Sequence, residues 1–145
     1  MFHCDESYGV VIIEKDKNWK ISYSGDTRPC NNFLNFSSKS TALIHEATFE
    51  NELIEDAKLK LHSTFQEGID LGLKNGSWRT ILTHFSPRYY RCVPHSEEFT
   101  KNKILLTHDF LGLKLSDLEW AYLYNETVSN IMNEIEEKKI DLFSN

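Results

Sequence analysis

Five short apolar runs, separated by polar turns or by stretches of helical period, constrain this chain more than any other feature. They are Tyr8–Ile13, Trp19–Tyr23, Ala42–Glu46, Trp78–Thr83 and Lys103–Thr107, and they read as strands. The polar turn Lys15–Asn18 joins the first two into a hairpin. The outer ends of a hairpin lie side by side, so the loop carrying His3 is expected to meet the loop carrying Asp26. Phe49, Leu53, Ala57 and Leu61 recur every fourth residue, which predicts a helix over about 49–61, with Thr48 placed to cap it. A second helix is expected after His62, where Ser63 and Gln66 have capping-box spacing, and it should stop at Asn75–Gly76. From Asp117, apolar Val128, Ile131, Met132 and Ile135 predict a long amphipathic helix. Strands alternating with helices imply an α/β layered architecture.

At 145 residues the chain suffices for one packed core and is too short for two sizeable domains. No apolar stretch approaches the roughly 20 residues of a membrane-spanning helix. Cys4, Cys30 and Cys92 are odd in number and fit neither a zinc ribbon nor a redox pair, which favours a reducing compartment. The net charge of −6 argues against a general basic grip on nucleic acid, because neutralising phosphates takes clustered Lys and Arg.

The reactive side chains fall just beyond the expected strands. Asp26 follows the hairpin, His45 and Glu46 end the third strand, and His84 follows the fourth. Loops at strand ends are where a rigid sheet can hold ligands in fixed relation, and His and Asp are suitable zinc ligands. Taken singly, each has a plainer reading. Asp26 in Ser24–Gly25–Asp26–Thr27 suits an ordinary turn, Glu46 could pair with a lysine, and His62 could simply lead into a helix.

Four motifs in order change that balance. Tyr23–Ser24–Gly25–Asp26–Thr27–Arg28–Pro29–Cys30 resembles the ribonuclease Z signature around a metal-bridging aspartate, and Leu43–Ile44–His45–Glu46–Ala47–Thr48 resembles its HEAT motif. His62–Ser63–Thr64 is similar to the HST motif, and His84–Phe85–Ser86–Pro87–Arg88–Tyr89 to HFSxRY. His3–Cys4 with Ser7–Tyr8–Gly9 looks like the preceding histidine motif of eukaryotic long forms, and Thr107–Leu111 matches a later segment more weakly.

The resemblance implies a zinc-dependent endoribonuclease that removes 3′ trailers from precursor tRNA by attack of a metal-activated water. It implies the carboxyl-terminal half of a metallo-β-lactamase-type αβ/βα sandwich, one sheet with its covering helices. Residues 1–116 would form that half, and 117–145 a helix packed on it. Two zinc ions are implied, with His3 on one, His84 on the other and Asp26 bridging. His62 resembles the proton donor, with Glu46 orienting its imidazole, and Ser86 and Arg88 would steady the scissile phosphate. His45, His95 and His108 are expected to be structural or exposed. Nucleus and mitochondrion are the compartments implied.

One part of the pattern is missing. The family begins its metal site with HxHxDH, which the sequence lacks, and three ligands are too few for two metals. The tRNA-gripping arm is missing too, in keeping with the acidic charge. The chain is therefore expected to need an upstream half of the same enzyme, possibly as a separate chain, and to be inactive alone. The alternatives are a non-catalytic scaffold half and another metallo-β-lactamase-type phosphodiesterase.

Overall fold

A computed structural model of the protein describes residues 1–86, 97–131 and 134. Five strands form one sheet in sequence order: β1 (Val10–Glu14), β2 (Trp19–Tyr23), β3 (Ala42–Glu46), β4 (Arg79–Thr83) and β5 (Ile104–Leu106). The first pair is antiparallel, in register Ile12 to Ile21, and the other three pairs are parallel. The expected hairpin and all five strands are present, with ends shifted by a residue or two.

The helices are α1 (Asn31–Phe36), α2 (Ile54–Lys60), α3 (Phe65–Asn75) and α4 (Glu97–Lys101). Two of them, α1 and α4, have no counterpart in the sequence reading, being too short to show a period. The helix expected over 49–61 starts later, as a 3-10 turn at Asn51–Leu53 followed by α2, and Leu61 closes it in the left-handed conformation at φ 59°. Thr48 caps nothing; its hydroxyl serves the site described below.

The capping box of α3 also moves by one residue. Thr64 accepts from the Glu67 N–H and the Glu67 carboxylate accepts from the Thr64 N–H. Ser63 instead donates its hydroxyl to the Thr27 carbonyl at 2.6 Å. Near the carboxyl end, Leu115–Glu119 and Ala121–Leu123 are 3-10 turns, and α-helix begins only at residue 124. The long helix expected from Asp117 is thus seven residues late. Its apolar positions Met132 and Ile135 lie outside the described residues.

Strand alternation divides the apolar side chains between two faces. One face carries Leu43 and Leu82 toward the helices, where Ile69 and Leu71 of α3, Phe33 of α1 and Phe99 of α4 complete the packing. Helix α3 lies so close to β4 that a Cβ on Gly72 would stand 2.0 Å from Thr80 Oγ1. The other face carries Ala42, Ile81 and Leu105, covered in part by Leu118 and Ala121. Arg79 fastens that cover, donating from Nε to the Leu118 carbonyl at 2.6 Å and from Nη2 to that of Glu119 at 3.2 Å. Among the described residues no helix is long and apolar enough to cross a membrane.

Candidate active site

Because β2, β3 and β4 are parallel, their carboxyl ends share one edge of the sheet, and antiparallel β1 brings the start of the chain to that same edge. Phe2 bridges Arg28, whose N–H donates to the Phe2 carbonyl at 2.9 Å. The hairpin thus delivers His3 to the Asp26 loop as expected. Gly25 makes the approach possible: its φ is +58°, and a Cβ there would sit 2.7 Å from the Tyr8 carbonyl oxygen.

Glu46, at the end of β3, is buried and accepts from five donors. Its Oε1 takes the Thr27 N–H at 2.8 Å and His62 Nδ1 at 2.8 Å. Its Oε2 takes the Thr48 hydroxyl at 2.7 Å and the N–H groups of Ser63 and Thr48 at 3.0 and 3.2 Å. One carboxylate therefore ties together the loops that carry Asp26, Thr48 and His62. A buried negative charge is tolerated only with such a set of donors.

Around this anchor four ligand-type side chains converge. Ligand atoms of His3, Asp26 and His62 lie within 4.8 Å of one another, as do those of Glu46, His62 and His84. His84 Nε2 is 3.7 Å from Asp26 Oδ1, and the His62 ring stands between those of His3 and His84, at 4.6 and 5.6 Å between centroids. His84 adopts φ 62°, a left-handed conformation uncommon outside glycine that is tolerated best by Asn, Asp and His.

The ring nitrogens are assigned by their neighbours. His3 Nδ1 faces the Leu61 carbonyl at 2.8 Å, His62 Nδ1 faces Glu46, and His84 Nδ1 faces the Thr48 hydroxyl at 2.8 Å. The His3 and His62 Nδ1 atoms face acceptors and so donate, and His84 Nδ1 donates when the Thr48 hydroxyl gives its proton to Glu46, which leaves Nε2 as the nitrogen with a free lone pair. The His3, Asp26 and His62 group and the Glu46, His62 and His84 group each offer imidazole and carboxylate donors of the types zinc takes. His62 has a second use, since with both nitrogens protonated it becomes a donor in place of a ligand.

Of the residues singled out in the sequence, His3, Asp26, Glu46, His62 and His84 meet at this edge. Ser86 lies close by, its N–H donating to the Thr48 carbonyl at 3.2 Å. Arg88 and His95 lie outside the described residues. His45 is buried and structural: Nδ1 bonds to the Glu46 carbonyl at 2.6 Å, Nε2 has no partner among the described residues, and burial lowers its pKa. Burial also lowers that of His108. The sequence reading missed Thr48, Ser63 and Arg28 as site residues. All three stand inside motifs it quoted, yet only their contacts show what they hold.

The sheet and its covering helices have the metallo-β-lactamase fold. The chain superposes on the metallo-β-lactamase fold protein YhfI of Bacillus subtilis with a TM-score of 0.60, over 78% of this chain and 46% of that one, at 17% identity. A long form RNase Z from yeast aligns better, with a TM-score of 0.73 and 30% identity over 92% of this chain and 18% of that one. In sequence the chain is 41% identical over 125 residues to tRNase Z TRZ3, mitochondrial, of Arabidopsis thaliana, covering 80% of this chain and 14% of the relative. It is 41% identical over 133 residues to Ribonuclease Z 1 of Schizosaccharomyces pombe, covering 91% and 16%. It is 35% identical over 115 residues to Zinc phosphodiesterase ELAC protein 2 of Mus musculus, covering 79% and 14%. No family model matches. The chain is a homologue of ribonuclease Z over most of its length, and it spans 14–16% of the length of these three relatives.

Proposed function

We propose that the chain is the carboxyl-terminal part of the catalytic domain of a zinc-dependent endoribonuclease that removes 3′ trailers from precursor tRNA. The observation that carries this reading is the convergence of His3, Asp26, His62 and His84 on one edge of the sheet, with Glu46 beneath His62. The names of the ribonuclease Z relatives support the substrate, and that of the mouse relative supports the metal.

In this proposal His3, Asp26 and His84 would hold two zinc ions, with the remaining ligands supplied by an upstream HxHxDH segment. Bound zinc supplies a water of lowered pKa and positive charge for the phosphate oxygens in the transition state. His62, held through Nδ1 by Glu46, gives the proton on Nε2 to the departing ribose 3′-oxygen. Thr48 links the two halves of the machinery: its hydroxyl donates to Glu46 and accepts from His84 Nδ1, so proton donor and metal ligand share one support. Ser86 and Arg88 are proposed to steady the scissile phosphate.

The upstream half of the same enzyme is the proposed partner. A sheet face that leaves Val10, Ile12 and Tyr23 half exposed supports this. Residues 117–145 are assigned to the same packed unit as 1–116, an assignment supported by Leu118 and Ala121 in the core. The plant relative's name supports a mitochondrial site of action; a nuclear one rests on the motif resemblance alone.

Reconstitution tests the proposal. The chain is mixed with an upstream ribonuclease Z segment bearing HxHxDH, given a tRNA with a 3′ trailer, and its zinc is counted. Release of the trailer by the pair, with two zinc ions per complex and neither half active alone, is the expected result. Cleavage by the 145 residues alone would refute the need for the upstream half, and a pair that binds zinc but cuts another phosphodiester would move the chain to a different hydrolase class.

A further inference from the structure

Arg28 is an unexplained charge at the edge of this site. It is not among the ligand-type side chains, yet three loops of the site meet on it. Its backbone N–H holds the Phe2 carbonyl, next to His3. Its side chain, mostly buried, pairs in a fork with Glu67, through Nη1 to Oε2 at 2.6 Å and through Nη2 to Oε1. Nη1 also donates to the backbone carbonyl of His62 at 2.6 Å.

Two consecutive carbonyls thus serve the site. That of Leu61 receives His3 Nδ1, and that of His62 receives Arg28. Glu67 fixes the far side of the fork, because its Oε2 also accepts the Thr64 N–H at 3.0 Å and closes the capping box of α3. The rigid first turn of α3 is therefore linked through Glu67 and Arg28 to the peptide that presents His62. A planar guanidinium suits this role, since its fork fixes direction as well as distance. Paired with Glu67, its charge is offset, so it acts on His62 through geometry more than through its field.

We propose that Arg28, locked by Glu67, is a positioning residue that sets the orientation of His62 and, through the adjoining Leu61 carbonyl, of His3. This rests on the reading of His62 as proton donor; the orientation itself can be measured without any RNA. The test compares the wild-type chain with Arg28→Gln, Arg28→Lys and Glu67→Gln by the ring-nitrogen NMR signals of its histidines, followed across pH in the absence of metal and tRNA. A thermal melt of each variant reports folding.

The expected result is that Arg28→Gln and Glu67→Gln shift the His62 and His3 signals and leave those of His45 and His108 in place, while Arg28→Lys, which keeps one donor, gives an intermediate shift. With the upstream segment added, Arg28→Gln should lower kcat about 10- to 100-fold, the range for lost supporting partners, with KM nearly unchanged. Folded Arg28→Gln and Glu67→Gln variants with unmoved His62 and His3 signals overturn the proposal. So does a shift shared by all four histidines, which would mark a general loosening of the fold. If the wild-type pair cleaves no tRNA, the functional reading fails while the NMR comparison still decides the role of Arg28.

Discussion

Glu46 accepts more hydrogen bonds than a proton-donating pair requires. Of its five donors, His62 and the Thr48 hydroxyl belong to the proposed machinery; the N–H groups of Thr27, Thr48 and Ser63 are backbone donors that would otherwise be left without a partner. In Glu46→Gln an NH2 group must face at least one of these donors. The variant is expected to lose about 2–3 kcal/mol of stability, the scale of a hydrogen bond to a charged group together with an unsatisfied buried donor. Urea unfolding reads this directly, and an unchanged midpoint would show that the network matters little. His45 offers a second prediction. Buried with Nε2 unpartnered among the described residues, it has a lowered folded pKa, so it stays neutral where the unfolded chain takes up a proton. Below the unfolded value of about 6.5 the unfolded state binds more protons, and stability should fall as pH drops from there toward the folded pKa. His108 contributes in the same direction. His45→Gln should flatten the acid side of a stability curve taken between about pH 7.5 and 5; a slope equal to wild type would contradict the assignment. His3, Asp26, Glu46, His62 and His84 were legible in the sequence because each stands in a recognisable motif. Thr48 and Arg28 were not, because what each holds in the site is fixed by bonds to residues far along the chain, Thr48 to His84 and Arg28 to His62 and Glu67.

At the scale of the element, strands were easier to read than helices. Apolar runs such as Val10–Ile13 have few other uses, and the hairpin followed from the polar turn between them. The ends of helices were misread where a polar residue had a rival partner. Ser63 looked like a cap and instead bonds to Thr27, leaving the cap to Thr64. At Asp117 the apolar spacing allowed an α-helix, but Arg79 binds the carbonyls of Leu118 and Glu119 from the sheet side, and that stretch takes the tighter 3-10 form. No periodicity signals such a long-range bond. The packing of α3 on β4 gives a prediction of its own. Gly72→Ala places a Cβ against Thr80 Oγ1 where no space exists, so α3 must retreat, at a cost of about 1–3 kcal/mol. The double variant Gly72→Ala with Thr80→Ala removes the worst of the clash, leaving the residue 80 Cβ at 3.0 Å, and should recover part of that loss, a coupling that a double-mutant cycle measures. Additive losses would mean that the two residues do not meet as described.

At the scale of the molecule, the two faces of the sheet are unequally covered. Helices bury the Leu43 and Leu82 face, whereas, among the described residues, the Ala42 and Ile81 face is covered in part by the 3-10 segment. Beside that segment lies a groove of about 420 Å³ bordered by Ile21, Ile44 and Leu113. Paired residues of neighbouring strands share a face, so Ile12 opposite Ile21 and Val10 opposite Tyr23 extend the same apolar surface to the edge strand, about half exposed. A sheet in a layered α/β domain normally covers both faces. The proposed upstream half would supply the second cover and the missing ligands together, so loss of docking and loss of zinc should coincide. Ile12 separates the two effects, since it sits on the apolar face and takes no part in the ligand cluster. Ile12→Lys should leave the chain folded, because the side chain is already half in water. It should weaken association with the upstream segment by about 2 kcal/mol, roughly 30-fold, the loss for an aliphatic side chain kept from burial. Titration calorimetry of the two segments measures that change, and at segment concentrations that restore binding the variant should hold as much zinc as wild type. Equal affinity for the two chains would mean that the exposed face is not where the halves join.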